Sequence, residues 1–248
     1  MINDKPIATG NTAVIYLQEN NAIKIFRDHL PASAPMNEAN KQQLAYDSGL
    51  RVPKVLEVTK VEGRHALVME YVNGKTLGQL VTENRERLEY YMGLSVDIQR
   101  EIHSKKIDSL EPMKEKLVRQ IQSVGCLDAE VKAALLEKIG SMTFESRLCH
   151  GDYHLYNLIQ TDDGVAIIDW VDASSGDIRA DVYRSYLLYS QVSEELAQMY
   201  VKLYCEKSGL VKEEIFAWAP IVAAARLAEN VATEDVGRLM GIVNDITY

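Results

Sequence analysis

Cysteine is scarce in this chain of 248 residues. Cys126, Cys149 and Cys205 stand far apart, and no two of them form a Cys-x-x-Cys pair. That spacing offers neither a disulfide frame nor a cysteine zinc site, and it suits reduced thiols in a cytoplasmic protein. Proline and glycine are also sparse, at 6 and 14 residues, and there is no low-complexity tract, so a disordered chain is not expected. No apolar run is long enough to cross a membrane. The longest candidate, Ala217 to Ala228, is interrupted by Pro220 and Arg226. The opening MINDKPIATG has neither the basic start nor the apolar stretch of a secretion signal, so no membrane association is expected. Basic residues are outnumbered, 27 Lys and Arg against 36 Asp and Glu, for a net charge of −9. A nucleic-acid partner would need clustered positive charge, so none is expected. The acidic balance suits a cationic small-molecule partner, and equally suits a surface that is merely soluble. No internal repeat is evident.

The chain does have enough apolar material for a core: 47% of its residues are hydrophobic and 25% charged. That fits one domain or two packed lobes. Up to about Tyr71 the pattern is one of strands. Ala13 to Leu17, Ala22 to Phe26, Lys54 to Val58 and Ala66 to Tyr71 are β-branched or aromatic runs, broken at Glu19-Asn20-Asn21 and Glu62-Gly63-Arg64. A helix over Met36 to Asp47 interrupts them and stops near Gly49. A break at Asn73-Gly74 places a boundary between Tyr71 and Lys75. From Arg85 the period becomes helical, with Leu88, Met92, Ser95, Gln99 and Ile102 on one face. Helices over Glu111 to Ser123 and Asp128 to Ile139 follow, the second capped by Asp128. Strands return between Leu148 and Asp169, where Asn157 to Gln160 and Val165 to Asp169 flank an Asp-Gly turn. The remainder is helical from Asp181, with Ser193 as an N-cap and Gly209 as a stop.

The most informative segment is LCHGDYHLYNLIQTDDGVAIIDW, residues 148 to 170. A hairpin brings its own ends together, so Asn157 and Asp169 should lie side by side, with Asp152 near them. Two carboxylates and a carboxamide at one sheet edge offer the hard oxygen donors that Mg²⁺ takes alongside water and phosphate oxygens. Phosphoryl transfer needs this combination of positioned metal, neutralised phosphate and a carboxylate that orients the attacking hydroxyl. The plainer alternative is that these residues only close a turn, as Asp and Asn often do. Upstream, Lys24 sits mid-strand between Ile23 and Ile25 in NNAIKIF, an odd place for an ammonium unless it has a partner. Glu38, in PMNEANKQQLAY, is the expected one.

HGDYHLYN followed by IIDW resembles the catalytic pair of the aminoglycoside phosphotransferase and choline kinase-like family, relatives of the protein kinases, in which these places read HRDxxxxN and DFG. The resemblance implies an α+β, bilobal protein-kinase-like fold. Its β-rich nucleotide-binding lobe would span residues 1–72, and its mainly helical catalytic and substrate-binding lobe residues 73–248. It implies Asp152 as the catalytic carboxylate and Asn157 and Asp169 as Mg²⁺ ligands. Lys24 would grip the α/β-phosphates of ATP, with GTP as the alternative nucleotide, and Glu38 would hold that lysine in place. In ATGNTAVIYL, Gly10, Asn11 and Thr12 would cover the phosphates, though one glycine stands there in place of GxGxxG. Met69, Glu70, Tyr71 and Val72 in ALVMEYVNGKTL would meet the base. His103 and Asp181, in IQREIHSKKID and SGDIRADVYR, would be structural. The motifs run in the family's order from about Ile7 to Arg184.

Two departures bear on the acceptor. Gly151 stands where protein kinases carry an arginine, and Trp170-Val171 where they carry Phe-Gly, with little room after them for a peptide-docking loop. A small hydroxyl-bearing acceptor is therefore expected, with an aminoglycoside or amino alcohol among the options. Tyr153, His154, Trp170, Asp172 and Asp177 are its candidate contacts. A nucleotide-binding protein without turnover and a protein kinase are the competing readings.

Overall fold

The structure, a computed structural model, describes residues 5–10 and 12–245. The chain divides into two compact units, residues 1–85 with 155–171, and residues 86–154 with 172–248.

The first unit is built on a five-stranded antiparallel sheet of β1 (Ala8–Thr9), β2 (Ala13–Gln18), β3 (Asn21–Phe26), β4 (Val55–Val61) and β5 (Arg64–Glu70), in the order β1-β2-β3-β5-β4. Helix α1 (Ala34–Asp47) lies between β3 and β4 in the chain. The β4–β5 turn is tight because Glu62 and Gly63 both take positive φ, 51° and 81°, the combination that matches strand twist in a two-residue hairpin. Strand alternation sorts β3 into two faces. Ile23 and Ile25 join Ala66 in one apolar cluster, while Phe26 joins Leu67, Met69 and Ala39 of α1 in the other. Lys24 lies on the α1 side with Ala22 and Phe26. A short strand β6 (Lys75–Thr76) leads into α2 (Leu77–Glu83), which is held by a capping box between Thr76 and Gln79.

The second unit is mainly helical. It contains α3 (Leu88–His103), α4 (Met113–Ser123), α5 (Ala129–Ser141) and β7 (Arg147–Cys149). The hairpin β8 (Leu158–Thr161) and β9 (Gly164–Ile167) then belongs to the first unit, where β6 pairs with β8 to make a three-stranded sheet. The second unit resumes with β10 (Ser174–Gly176), which pairs with β7, followed by α6 (Ile178–Val192) and α7 (Glu194–Ser208). It ends with α8 (Lys212–Phe216), α9 (Ala219–Ala228) and α10 (Val236–Asn244). Asp128 caps α5 through the Val131 amide, Ser193 caps α7 through that of Leu196, and Gly209 ends α7 at φ 80°. The buried face of α3 is Tyr91, Met92, Ser95, Val96, Gln99, Ile102 and His103. Helix α6 begins at Ile178 rather than at Asp181, because the Asp177 side chain accepts the Arg179 amide and caps it. Among the described residues, no helix is long and apolar enough to cross a membrane.

Candidate active site

In the first unit, the position of Lys24 on the α1 side of β3 takes its ammonium away from water and towards the helix. Its Nζ lies 2.6 Å from Glu38 Oε1 and 3.0 Å from Asp169 Oδ1. Burial alone would lower the lysine pKa, but the two carboxylates outweigh it and hold the ammonium charged well above the usual range. Glu38 is itself buried on the inner face of α1, beside Ala39 and Gln42. Neither charge would be tolerated there without the other.

Asp169 and Asn157 occupy the two ends of the β8–β9 hairpin. The register pairs Leu158 with Ile167, and the Ile168 amide donates to the Asn157 carbonyl at 3.0 Å, so the flanking residues meet at the hairpin base. Asp169 adopts φ 65°, a left-handed conformation that is uncommon for a residue with a side chain and recurs at functional sites. Its carboxylate is 38% exposed, unlike that of Glu38.

A cleft of about 690 Å³, partly open to solvent, gathers most of the residues expected to meet nucleotide and metal. Gly10, Lys24, Glu38, Met69, Glu70, Tyr71, Val72, Asn157 and Asp169 all line it. Thr12 does not; its carbonyl accepts the Arg27 amide and closes the turn in which Gly10 N–H donates to Ala13. Asn11 lies outside the described residues. The Tyr71 amide donates to the Asn20 carbonyl, and the Glu70 amide to that of Lys54. Sequence reasoning missed Tyr156 in this wall. Its ring lies so close over Gly78 that any side chain at 78 would collide with it. The signal available was a tyrosine immediately before Asn157.

In the second unit, Asp152 follows β7 on a loop fastened by Asp181 of α6. Asp181 accepts the His150 amide at 3.3 Å and the Gly151 amide at 2.7 Å, and its Oδ2 lies 2.9 Å from His103 Nε2. The other ring nitrogen of His103 meets the Tyr204 hydroxyl at 2.6 Å. Gly151 takes φ 82°, and a Cβ there would run into the Asp172 carbonyl oxygen. Local backbone packing therefore requires glycine where protein kinases carry arginine.

Asp152 is largely buried, which alone would raise its pKa. His154, Arg184 and His150 outweigh burial and hold the carboxyl well below the usual range. His154 Nε2 lies 3.6 Å from Oδ2, Arg184 Nη2 lies 3.9 Å from Oδ1, and the Asp152 amide donates to His150 Nδ1 at 3.3 Å. Arg184 is the second residue that sequence reasoning missed. It stands three positions after Asp181 on α6 and therefore on the same helix face.

The acceptor contacts expected from sequence require correction. Tyr153 is fully buried, and its hydroxyl donates to the Ser95 carbonyl at 2.6 Å. Trp170 is fully buried, with its indole N–H on the Ile167 carbonyl. Asp177 is buried under Arg179 and the Trp218 indole N–H. Only His154 and Asp172 of the five keep partly exposed side chains. His103, Cys149 and Asp181 form a buried cluster of metal-binding residue types, but both ring nitrogens of His103 are already engaged as described.

No curated protein sequence matches this chain. Solved structures do. A thermostable mutant of the aminoglycoside phosphotransferase APH(4)-Ia, in ternary complex with ADP and hygromycin B, superposes with a TM-score of 0.73 at 14% identity, over 100% of this chain and 95% of that one. The ADP-bound aminoglycoside phosphotransferase APH(2'')-Ib gives a TM-score of 0.64 at 17% identity, over 98% and 92%. A choline/ethanolamine kinase family protein from Mesorhizobium loti gives 0.65 at 13%, over 98% and 88%. At these identities the likeness speaks for the α+β protein-kinase-like fold. The family model described as "Phosphotransferase enzyme family" matches residues 5–220, and the chain belongs to that family.

Proposed function

We propose that this chain transfers the γ-phosphate of ATP, or of GTP, to a hydroxyl of a small molecule. The reading is carried by the cleft of the first unit, where a lysine held by Glu38 and Asp169 shares one wall system with Met69 to Val72. Residues 1–72 would supply the nucleotide-binding groups, and residues 73–248 the metal, catalytic and acceptor groups. Lys24 binds phosphate oxygens, and Glu38 keeps it extended and aimed. Met69, Glu70, Tyr71 and Val72 meet the base through backbone and apolar groups. Because the Tyr71 amide is already given to Asn20, Val72 supplies the amide. Gly10, which lines the cleft, lies over the phosphates.

Asn157 and Asp169 suit Mg²⁺, since a carboxamide and a partly exposed carboxylate at one hairpin base are hard oxygen donors facing the cleft. When bound, the ion neutralises phosphate charge. Asp152 orients the acceptor hydroxyl, a task that suits a carboxylate held ionised by its surroundings, and accepts the proton as the new P–O bond forms. Aminoglycosides and amino alcohols are the first acceptors to test, given the hygromycin B complex of one structural relative and the choline/ethanolamine kinase kinship of another.

The test is transfer from γ-labelled ATP and GTP to a panel of aminoglycosides, amino alcohols and sugars, comparing the parent chain with Asp152→Ala. Labelled small molecule that disappears in the variant supports the reading. Nucleotide binding with no transfer to any acceptor would favour a binding protein, and label on a protein substrate would favour a protein kinase.

A further inference from the structure

Arg184 is among the buried charges of the second unit that the roles above do not use. The Arg184 side chain on α6 is nine-tenths buried. Its Nε donates to the Gly151 carbonyl at 3.1 Å, and its Nη2 donates to Glu229 Oε2 at 2.8 Å while standing 3.9 Å from Asp152 Oδ1. Gly151 is therefore held from both sides by one helix, its N–H by Asp181 and its carbonyl by Arg184. Glu229, just past the end of α9, also engages Arg226, which fixes the carboxylate that steadies Arg184. These groups border a pocket lined by Lys116, Gly151, Asp172, Arg184 and Glu229.

We infer that Arg184, steadied by Glu229, is a positioning residue that fixes the Gly151–Asp152 peptide and keeps the Asp152 carboxylate ionised and aimed at the acceptor hydroxyl. This rests on the phosphotransfer reading above. An arginine suits the place because one planar fork reaches a carbonyl, a carboxylate and a second carboxylate at once, which a single ammonium point cannot do. His150 and His154 flank Asp152 on its own loop, and Arg184 approaches from α6. Asp172 opposes it, but is largely balanced by Lys116 of α4 at 2.9 Å. Removing Arg184 thus takes away the arginine among them.

The experiment measures initial rates against pH for the parent chain, Arg184→Gln, Arg184→Lys and Glu229→Gln. Nucleotide hydrolysis without acceptor serves where no acceptor has been found, and thermal unfolding certifies each fold. Arg184→Gln should lower kcat by roughly tenfold to a hundredfold, part of the roughly 10²–10⁴ that a positioned proton acceptor supplies, with the nucleotide KM little changed. Its acid limb should move up by about one pH unit, the scale of a lost opposite charge at this range. Arg184→Lys should restore the limb more than the rate, because charge returns without the fork. Glu229→Gln should fall between Arg184→Gln and the parent. A folded Arg184→Gln with the parent's kcat and acid limb would overturn the inference alone. A parent chain that neither transfers nor hydrolyses would overturn the phosphotransfer reading and this inference with it.

Discussion

Lys24 in the first unit and Asp152 in the second are both charges withdrawn from water, and they are stabilised in opposite ways. The lysine has two carboxylates within 3.0 Å, one of them on a helix packed against its strand. The aspartate has His154 Nε2 at 3.6 Å and Arg184 Nη2 at 3.9 Å. The first arrangement sets one ammonium between two carboxylates, in which opposite charges compensate one another. The second is a carboxylate that keeps a quarter of its side chain exposed, beside an arginine and a histidine. In the roles proposed here, a phosphate-gripping cation would have to stay where it is, whereas a proton acceptor would have to exchange partners.

The sharpest way to break this comparison is to neutralise each charge in turn. Asp152→Asn should lower transfer by about 10²–10⁴, the range for removal of a general base, with the nucleotide KM nearly unchanged. Steady-state kinetics read this directly, and a variant within tenfold of the parent would remove Asp152 from the chemistry. Lys24→Met should also lose transfer, and it should lower stability by about 3–5 kcal/mol, because the buried Glu38 carboxylate loses the ammonium 2.6 Å away. Urea unfolding measures the difference. Lys24→Met combined with Glu38→Gln should recover part of that stability while transfer stays low, since neighbouring sites are not additive. If the double variant is as unstable as the single one, the two charges do not compensate one another in this way.

A smaller effect is expected where neither charge is touched. Gly151→Ala places a side chain at φ 82° and against the Asp172 carbonyl, so the loop has to shift. About 1–3 kcal/mol of stability should be lost, together with a fall in kcat through displacement of Asp152. Unchanged unfolding would mean that the loop yields readily and that glycine at 151 has another cause.

How far the sequence alone foretold these features depended on the range of the interaction that sets each one. Lys24 between two isoleucines, the Glu62-Gly63 turn, and the caps at Asp128 and Ser193 follow from a few neighbouring residues, and the structure has them where the pattern put them. Burial is a property of the whole unit, so Tyr153, Trp170 and Asp177 read as exposed acceptor contacts although they are interior. The strand β10 is only Ser-Ser-Gly, with no apolar alternation to reveal it, and exists because β7 pairs with it. The pattern break at Asn73-Gly74 marks a change in local period. Compactness, by contrast, gathers the chain as far as Arg85 and the β8–β9 hairpin with the first sheet, through the distant pairing of β6 with β8. Arg184 went unnoticed because its meaning comes from Gly151 and Glu229, neither of which is near it in sequence.

The gentlest probe of the comparison is pH, because the two charges should contribute to stability at opposite ends of the scale. The folded pKa of Asp152 is depressed below the ordinary carboxylate value. Its ionised form therefore stabilises the fold above about pH 4, and the contribution is lost as pH falls through the folded value. Lys24 has a folded pKa raised above the ordinary lysine value. Its contribution is complete below about pH 10.4 and is lost only as pH climbs beyond that point. The stability gap between parent and Asp152→Asn, about 1–3 kcal/mol at neutrality, should therefore close on acidification from about pH 5 downward. The gap between parent and Lys24→Met should narrow in strong alkali, and also in acid, where the Glu38 carboxyl of the variant takes up a proton. Urea unfolding of the three proteins at stepped pH reads both gaps. An Asp152→Asn gap that does not change between pH 7 and 3 would mean that the surrounding cations do not hold the carboxylate ionised, and the contrast between the two units would then reduce to burial alone.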